Sequence, residues 1–188
     1  NLNGDWEFAF DDDNIGIKQQ WFSATSAQQI FNQTITVPYT YQCEMSGINI
    51  QDFHDIIWYH KKIQFDTEDL TKDYRLHFGA VDYEAMVWVN GSLVVTHEGG
   101  HTPFYADIIN NLVPGENTIV VRANDPSKDL SLPRGKQYWF KKSEGIFYTR
   151  TTGIWQTVWL EPLNTKHIER IWTSPDIDKK MIFIEYEL

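Results

Sequence analysis

Three short stretches of the chain carry side chains whose types and spacing can do chemistry. His97-Glu98-Gly99-Gly100-His101 matches H-E-x-x-H, in which two histidines one helical turn apart hold zinc and the glutamate acts as general base. That arrangement needs a helix, and two adjacent glycines cost a helix about 2 kcal/mol relative to alanine. Leu93–Thr96 just before it reads as a strand, so the match is read as accidental and no metal site is assigned. Asp11-Asp12-Asp13-Asn14 is similar to the start of a calcium loop, but Ile15 and Phe22 stand at ligand positions five and twelve, which predicts a solvated turn. The third stretch, residues 128–150, sets Lys128, Arg134, Lys136, Lys141, Lys142 and Arg150 against only Asp129 and Glu144, with aromatic residues between them. A basic, aromatic-rich segment in an acidic protein is either a binding surface for an acidic or hydroxylated partner or a solvated loop whose charges meet acids elsewhere. Asn32-Gln33-Thr34 and Asn90-Gly91-Ser92 are glycosylation sequons, relevant only along a eukaryotic secretory route. There is no Gly-rich phosphate loop, and no G-x-S-x-G elbow to pair with any of the six histidines. No cofactor is implied.

The scaffold for these stretches is written in strands. Segments 5–10, 56–65, 74–79, 85–89, 93–97, 118–123 and 155–161 are rich in Val, Ile, Trp, Tyr and Phe, which suit a pleated surface. In the last of them Trp155, Thr157 and Trp159 share one face, while Gln156, Val158 and Leu160 share the other. Trp6, Trp58, Trp88, Trp155 and Trp159 are all assigned to the core. Asn90-Gly91 between two strands predicts a tight hairpin, because a type I′ turn needs positive φ at both central residues. Many short strands with turns between them, and no sustained helical period, predict a β-sandwich or barrel. Between Asn124 and Gly153 runs an irregular excursion of about 30 residues, a length that inside a compact domain is usually functional. Asp125 at its start either anchors this loop or simply makes an Asp-Pro turn. After Glu161-Pro162 the pattern starts afresh with 168–172, a turn at Ser174-Pro175-Asp176, and a strand over 181–188. Two strands do not make an independent domain, so residues 1–163 are read as one domain and 164–188 as the truncated start of a second.

Composition narrows the function. The 188 residues carry 16 Lys+Arg against 26 Asp+Glu, a net charge of −10, which argues against a nucleic-acid partner. No run approaches the roughly 18 apolar residues of a membrane span. A single Cys43 excludes an internal disulfide framework and a four-cysteine zinc site, and fits a reducing cytoplasm. The chain opens at Asn1 rather than Met, so a leader removed upstream remains an alternative. Aromatic residues make up 15% of the chain, with 8 Trp, 9 Tyr and 11 Phe, and such rings either fill a β-core or line a sugar-binding surface.

One resemblance is specific. In order, the chain carries Leu2-Asn-Gly-Asp-Trp6, Val37-Pro-Tyr39, Trp58-Tyr-His-Lys61, Leu76-His-Phe-Gly-Ala-Val-Asp-Tyr-Glu-Ala85 and Val87-Trp-Val-Asn-Gly91. Then come His97–Phe104, Asp107-Ile108, Gly115-Glu-Asn117, Val120-Val-Arg122, Gly153-Ile-Trp155 and Val158-Trp-Leu-Glu161. Through most of residues 1–163 this resembles the N-terminal domain of family 2 glycoside hydrolases, the β-galactosidase, β-glucuronidase and β-mannosidase group. The resemblance implies an all-β, jelly-roll-like antiparallel sandwich followed by the first strands of an immunoglobulin-like second domain.

What the family does is then implied for the parent protein. Such enzymes hydrolyse β-glycosides with retention, using two glutamates about 5–5.5 Å apart. Both lie on a TIM barrel that alone needs around 250 residues. No Glu here matches those motifs, so no catalytic residue is assigned and the chain alone is expected to be inactive. In relatives this domain reaches over the barrel with the stretch before the Gly-Ile motif, here Asp125–Thr152. Galactoside- and glucuronide-cleaving relatives carry an acid six positions before that glycine, where this chain has Phe147. The departure removes one contact expected to recognise a hydroxyl, so the resemblance implies a β-galactosidase- or β-glucuronidase-like parent without fixing which sugar it takes. The loop instead offers Arg134, Lys136, Gln137, Trp139, Tyr148 and Arg150 as candidate substrate-binding residues, with Tyr138 beside them. Arg and Lys donate to hydroxyls or carboxylates, and Trp stacks on a pyranose face. For Trp139 and Tyr148, packing against the absent barrel is an equal alternative. An independent carbohydrate-binding module and a purely structural sandwich remain the competing readings.

Overall fold

Five consecutive residues of Ile56-Ile-Trp-Tyr-His60 are buried, which a strand with one solvated face does not allow. The computed structural model, which describes residues 1–23, 30–164 and 166–188, shows why. Six strands form one antiparallel sheet in the order β2 (Gln33–Val37), β1 (Gly4–Phe10), β3 (Ile56–Phe65), β9 (Gly115–Asn124), β6 (Glu84–Val89) and β7 (Ser92–Glu98). Its inner face, with Trp6, Phe8, Ile35, Ile57, Tyr59, Val87, Ile119 and Val121, packs on a three-stranded sheet ordered β11 (Val158–Leu163), β4 (Asp73–Phe78) and β8 (Phe104–Asp107). Leu76, Phe78, Ala106 and Val158 complete that core from the second sheet. Residues of the other face, Ala9, Ile56, Trp58, Trp88 and Val120, form a second apolar cluster under Trp21 and Phe31 from the segment between β1 and β2. The middle of the long sheet is therefore buried on both sides, and the fold is an all-β antiparallel sandwich with an extra apolar layer.

Polar groups on that second face are tied individually. Asp11 is buried, and its carboxylate accepts the Ile15 and Gly16 amides at 2.8 and 3.0 Å and the Trp58 indole N–H at 3.0 Å. The predicted solvated turn is thus corrected at its first residue: Asp11 is a buried hub, while Asp12, Asp13 and Asn14 face water. His60, also buried, meets Glu7 through Nδ1 and lies against the Phe31 ring. Asn90 and Gly91 both take positive φ, 49° and 79°, as the predicted hairpin between β6 and β7 requires.

Two strand readings need correction. Pairing in the 155–161 segment begins only at Val158, and Val158 and Leu160 face the core. Trp159, assigned to the core, instead lies half-buried on the outer face of the three-stranded sheet, its ring stacked on His77 at 4.6 Å. Trp155 is also half-buried and gives its indole N–H to the Gly100 carbonyl at 2.7 Å. Trp6, Trp58 and Trp88 are buried as expected. Towards the C-terminus, Ser174-Pro175-Asp176 is not a turn but the end of β12 (Arg170–Asp176), which pairs with β13 (Met181–Glu187) around a turn at 177–180. This hairpin follows the sandwich, and Ile171, Trp172, Phe183 and Ile184 on it are exposed.

Candidate functional site

The long loop between β9 and β10 (Gly153–Ile154) is fixed at its root by buried polar groups. Asp125, at the loop's start, is buried and pairs with Arg150, at the loop's end, at 2.6 Å. The same guanidinium also donates to the Asp125 carbonyl. Thr152 donates its hydroxyl to the other Asp125 oxygen at 2.8 Å, while Asp55 accepts the Ser127 amide at 3.0 Å and its carbonyl the Asp125 amide at 2.8 Å. Asp125 therefore anchors the loop, beyond the simple Asp-Pro turn. Burial pushes its carboxyl up to about 6 against the pull of Arg150.

A second tie crosses the loop's middle. Gln137 donates through Nε2 to Asp82 at 2.9 Å and accepts the Thr151 amide through Oε1 at 2.9 Å. Asp82 belongs to β5 (Val81–Asp82), the short strand paired with β10. Burial raises the Asp82 carboxyl above its ordinary value, with the Gln137 hydrogen bond working in the opposite direction. The two arms of the loop also join backbone to backbone, Tyr138 N to Tyr148 O at 2.8 Å and Tyr148 N to Lys136 O at 2.9 Å. Gly153 closes the loop at φ +88°, with Tyr59 Oη and Ile57 Cδ1 where a β-carbon would sit. The Tyr59 hydroxyl accepts the Ile154 amide at 3.1 Å, and full burial holds its proton well above the usual phenol range.

Above this root the loop is an open aromatic and basic surface. Phe147 stacks on Tyr138 at 5.0 Å and meets Trp139 edge to face at 5.0 Å. Trp139 keeps 47% of its surface exposed and Tyr148 keeps 67%, so both can meet a partner, with Lys136 exposed beside them. Arg134 is half-buried and donates to the Asp129 carbonyl at 2.6 Å. The six candidates divide in two: Lys136, Trp139, Tyr148 and the rim residue Arg134 face outward, whereas Gln137 and Arg150 have their polar groups committed inside the loop. Lys141 pairs with Asp52 across to the loop before β3, so part of the basic cluster does meet acids elsewhere.

Sequence reasoning missed Asp82, Thr152 and Asp55. A lone acid between apolar residues, as in Ala80-Val-Asp-Tyr83, was the available signal for the first. H-E-x-x-H resolves into the end of β7 and a glycine turn, with the His97 ring stacked on Phe104 at 4.2 Å. Among the described residues no group of His, Cys, Asp and Glu is arranged to hold a metal ion.

This architecture and loop define a known class of carbohydrate-enzyme domain. The model of the family described as "Glycosyl hydrolases family 2, sugar binding domain" matches residues 1–160, and the chain belongs to that family. It is 29% identical over 207 residues to a β-glucuronidase of Sus scrofa, a match covering 100% of this chain and 32% of that protein. A β-galactosidase of Thermoanaerobacter pseudethanolicus is 30% identical over 94% of the chain and 21% of its own length. Among solved structures, an uncultured Clostridium sp. β-glucuronidase superposes with a TM-score of 0.76 and 25% identity, covering 99% of this chain and 33% of that one. The chain thus spans about a third of the length of these β-glucuronidases and about a fifth of that of the β-galactosidase, as a non-catalytic N-terminal domain of a family 2 hydrolase does.

Proposed function

We propose that the chain is the pocket-shaping part of a retaining β-glycosidase whose catalytic glutamates lie on a barrel outside residues 1–188. The observation that carries this reading is the loop over 125–152, rigidly rooted by Asp125, Arg150 and Gln137 while Trp139, Tyr148, Lys136 and Arg134 remain presented outward. A flat indole face and three donors suit a pyranose ring with its hydroxyls or a carboxylate. Phe147, where galactoside- and glucuronide-cleaving relatives carry an acid, is packed among aromatic rings, so the loop brings no carboxylate to the sugar at that position of a β-galactosidase- or β-glucuronidase-like pocket. Residues 164–188 open a second, immunoglobulin-like domain between this sandwich and the barrel.

The test uses the full-length enzyme and a panel of nitrophenyl glycosides. Trp139→Ala is expected to raise KM for the preferred glycoside about tenfold with kcat nearly kept, as loss of binding common to ground and transition states does. An unchanged KM would remove the loop from the pocket. The 188-residue chain alone is expected to hydrolyse none of the panel. Millimolar or tighter saccharide binding to that chain in calorimetry would favour the independent binding module instead.

A further inference from the structure

Three segments far apart in sequence converge on one buried carboxylate. Asp82 is 6% exposed; its Oδ2 accepts from Gln137, and Gln137 in turn holds the amide of Thr151 on the loop's returning arm. On its other side Asp82 Oδ1 lies where a β-carbon on Gly100 would have to be. Gly100 has no positive φ to explain its identity, so it is glycine for space and not for conformation. The same residue accepts the Trp155 indole through its carbonyl, and Gly153 pairs with Asp82 across β5 and β10. The glycine turn after β7, both arms of the long loop and the Gly-Ile strand are therefore all referenced to Asp82.

We propose that Asp82 is the positioning residue of the loop, gripping both arms through Gln137 and seated from behind by Gly100. The inference rests on the reading of that loop as sugar-facing, but its mechanism concerns only how the loop is held. Gln137 is suited to the task because a carboxamide donates at one atom and accepts at the other. It can thus join a carboxylate to a backbone N–H without leaving either polar group unpaired. Arg150 and Asp125 fix where the loop begins and ends, while Gln137 fixes where its middle lies. Trp139 follows Gln137 by two residues, so the indole's placement depends on that second tie.

Amide hydrogen exchange on the 188-residue chain tests the proposal. Asp82→Ala and Gln137→Leu are each expected to speed exchange at residues 136–151 by about tenfold or more, the loss of a hydrogen bond to a charged group. Amides of β3 and β9 are expected to remain the slowest to exchange in every variant. Asp82→Asn keeps an oxygen that can accept from Gln137 and is expected to hold loop exchange within about threefold of the parent. Gly100→Ala, which pushes on Asp82 from behind, is expected to loosen the loop as Asp82→Ala does. Unchanged loop exchange in Gln137→Leu would overturn the proposal, and so would an Asp82→Asn loop as loose as that of Asp82→Ala. Should Asp82→Ala fail to fold, Gln137→Leu gives the same reading from outside the core. The KM of the full-length Gln137→Leu enzyme separates the two ideas. A loosened loop with a raised KM supports both, whereas a loosened loop with unchanged KM keeps the clamp and overturns the sugar-facing role.

Discussion

Replacing Asp125 by alanine strands a buried cation. The Arg150 side chain is 7% exposed and pairs with Asp125 at 2.6 Å. Removing one partner of such a pair costs about 3–5 kcal/mol, mostly because the other charge is left uncompensated in the interior. Thr152 also loses the acceptor of its hydroxyl, worth about 1 kcal/mol. The loop can detach and let Arg150 reach water, so the observed loss is capped by the free energy that now holds the loop down. The expected outcome is a drop of about 3 kcal/mol in urea unfolding, with amides of residues 125–152 exchanging by local opening well ahead of those of the core strands. Adding Arg150→Met removes the stranded charge, and the double variant is expected to recover at least half of the loss. The pH dependence supplies a second reading. The folded chain keeps the Asp125 proton up to about pH 6, whereas the unfolded chain releases it near 3.8. Between those values the native state binds more protons, so this group makes stability fall as pH rises, by at most about 1.4 kcal/mol per pH unit. Asp125→Ala is expected to lose that component of the slope. A variant within 1 kcal/mol of the parent, with loop exchange unchanged, would refute the account of the root as a buried ion pair.

Other substitutions probe separate parts of the fold. Gly153→Ala forces a β-carbon against Tyr59 Oη and Ile57 Cδ1 at positive φ, and is expected to cost about 2–4 kcal/mol in chemical denaturation. Asp11→Ala leaves the Ile15 and Gly16 amides and the Trp58 indole without an acceptor, for an expected loss of about 2–4 kcal/mol and a shift in tryptophan fluorescence. Trp88→Ala empties a buried site and is expected to cost about 3–5 kcal/mol, whereas Trp159→Ala on the outer face is expected to cost about 1 kcal/mol, measured by thermal melting.

Much of the sandwich was legible because its signals are local. The Asn90-Gly91 turn and the apolar strands around it specify a hairpin through residues adjacent in sequence. The choice of core face in 155–161 was not legible, since Trp155 and Trp159 are as apolar as Val158 and Leu160, and only the pairing of β11 with β4 decides which set turns inward. At the loop, the exposure of Lys136 followed from the composition of Pro133-Arg-Gly-Lys-Gln137. The commitments of Gln137 and Arg150 did not, because each depends on an acid brought close only by folding: Asp82 lies 55 positions from Gln137 and Asp125 lies 25 from Arg150. Asp11 was misjudged for the same reason, its indole partner being 47 positions away.

The burial of Ile56–His60 on both faces of β3 also bears on how the chain finds its pairing. In a strand with one wet face, a slip of one residue throws the apolar set into water, and that penalty selects the register. Lys62 and Gln64 keep one wet face in the second half of the strand, but over Ile56–His60 a slip would exchange one apolar set for another, so burial there discriminates weakly between the right alignment and its neighbour. Discrimination falls to three polar attachments on consecutive residues: the Trp58 indole on Asp11, the Tyr59 hydroxyl under the Ile154 amide, and the His60 imidazole on Glu7. A one-residue shift breaks all three together, leaving buried donors and acceptors unpaired at about 1–3 kcal/mol each. In this first half of β3 the apolar residues supply the drive to collapse, and three hydrogen bonds supply the alignment.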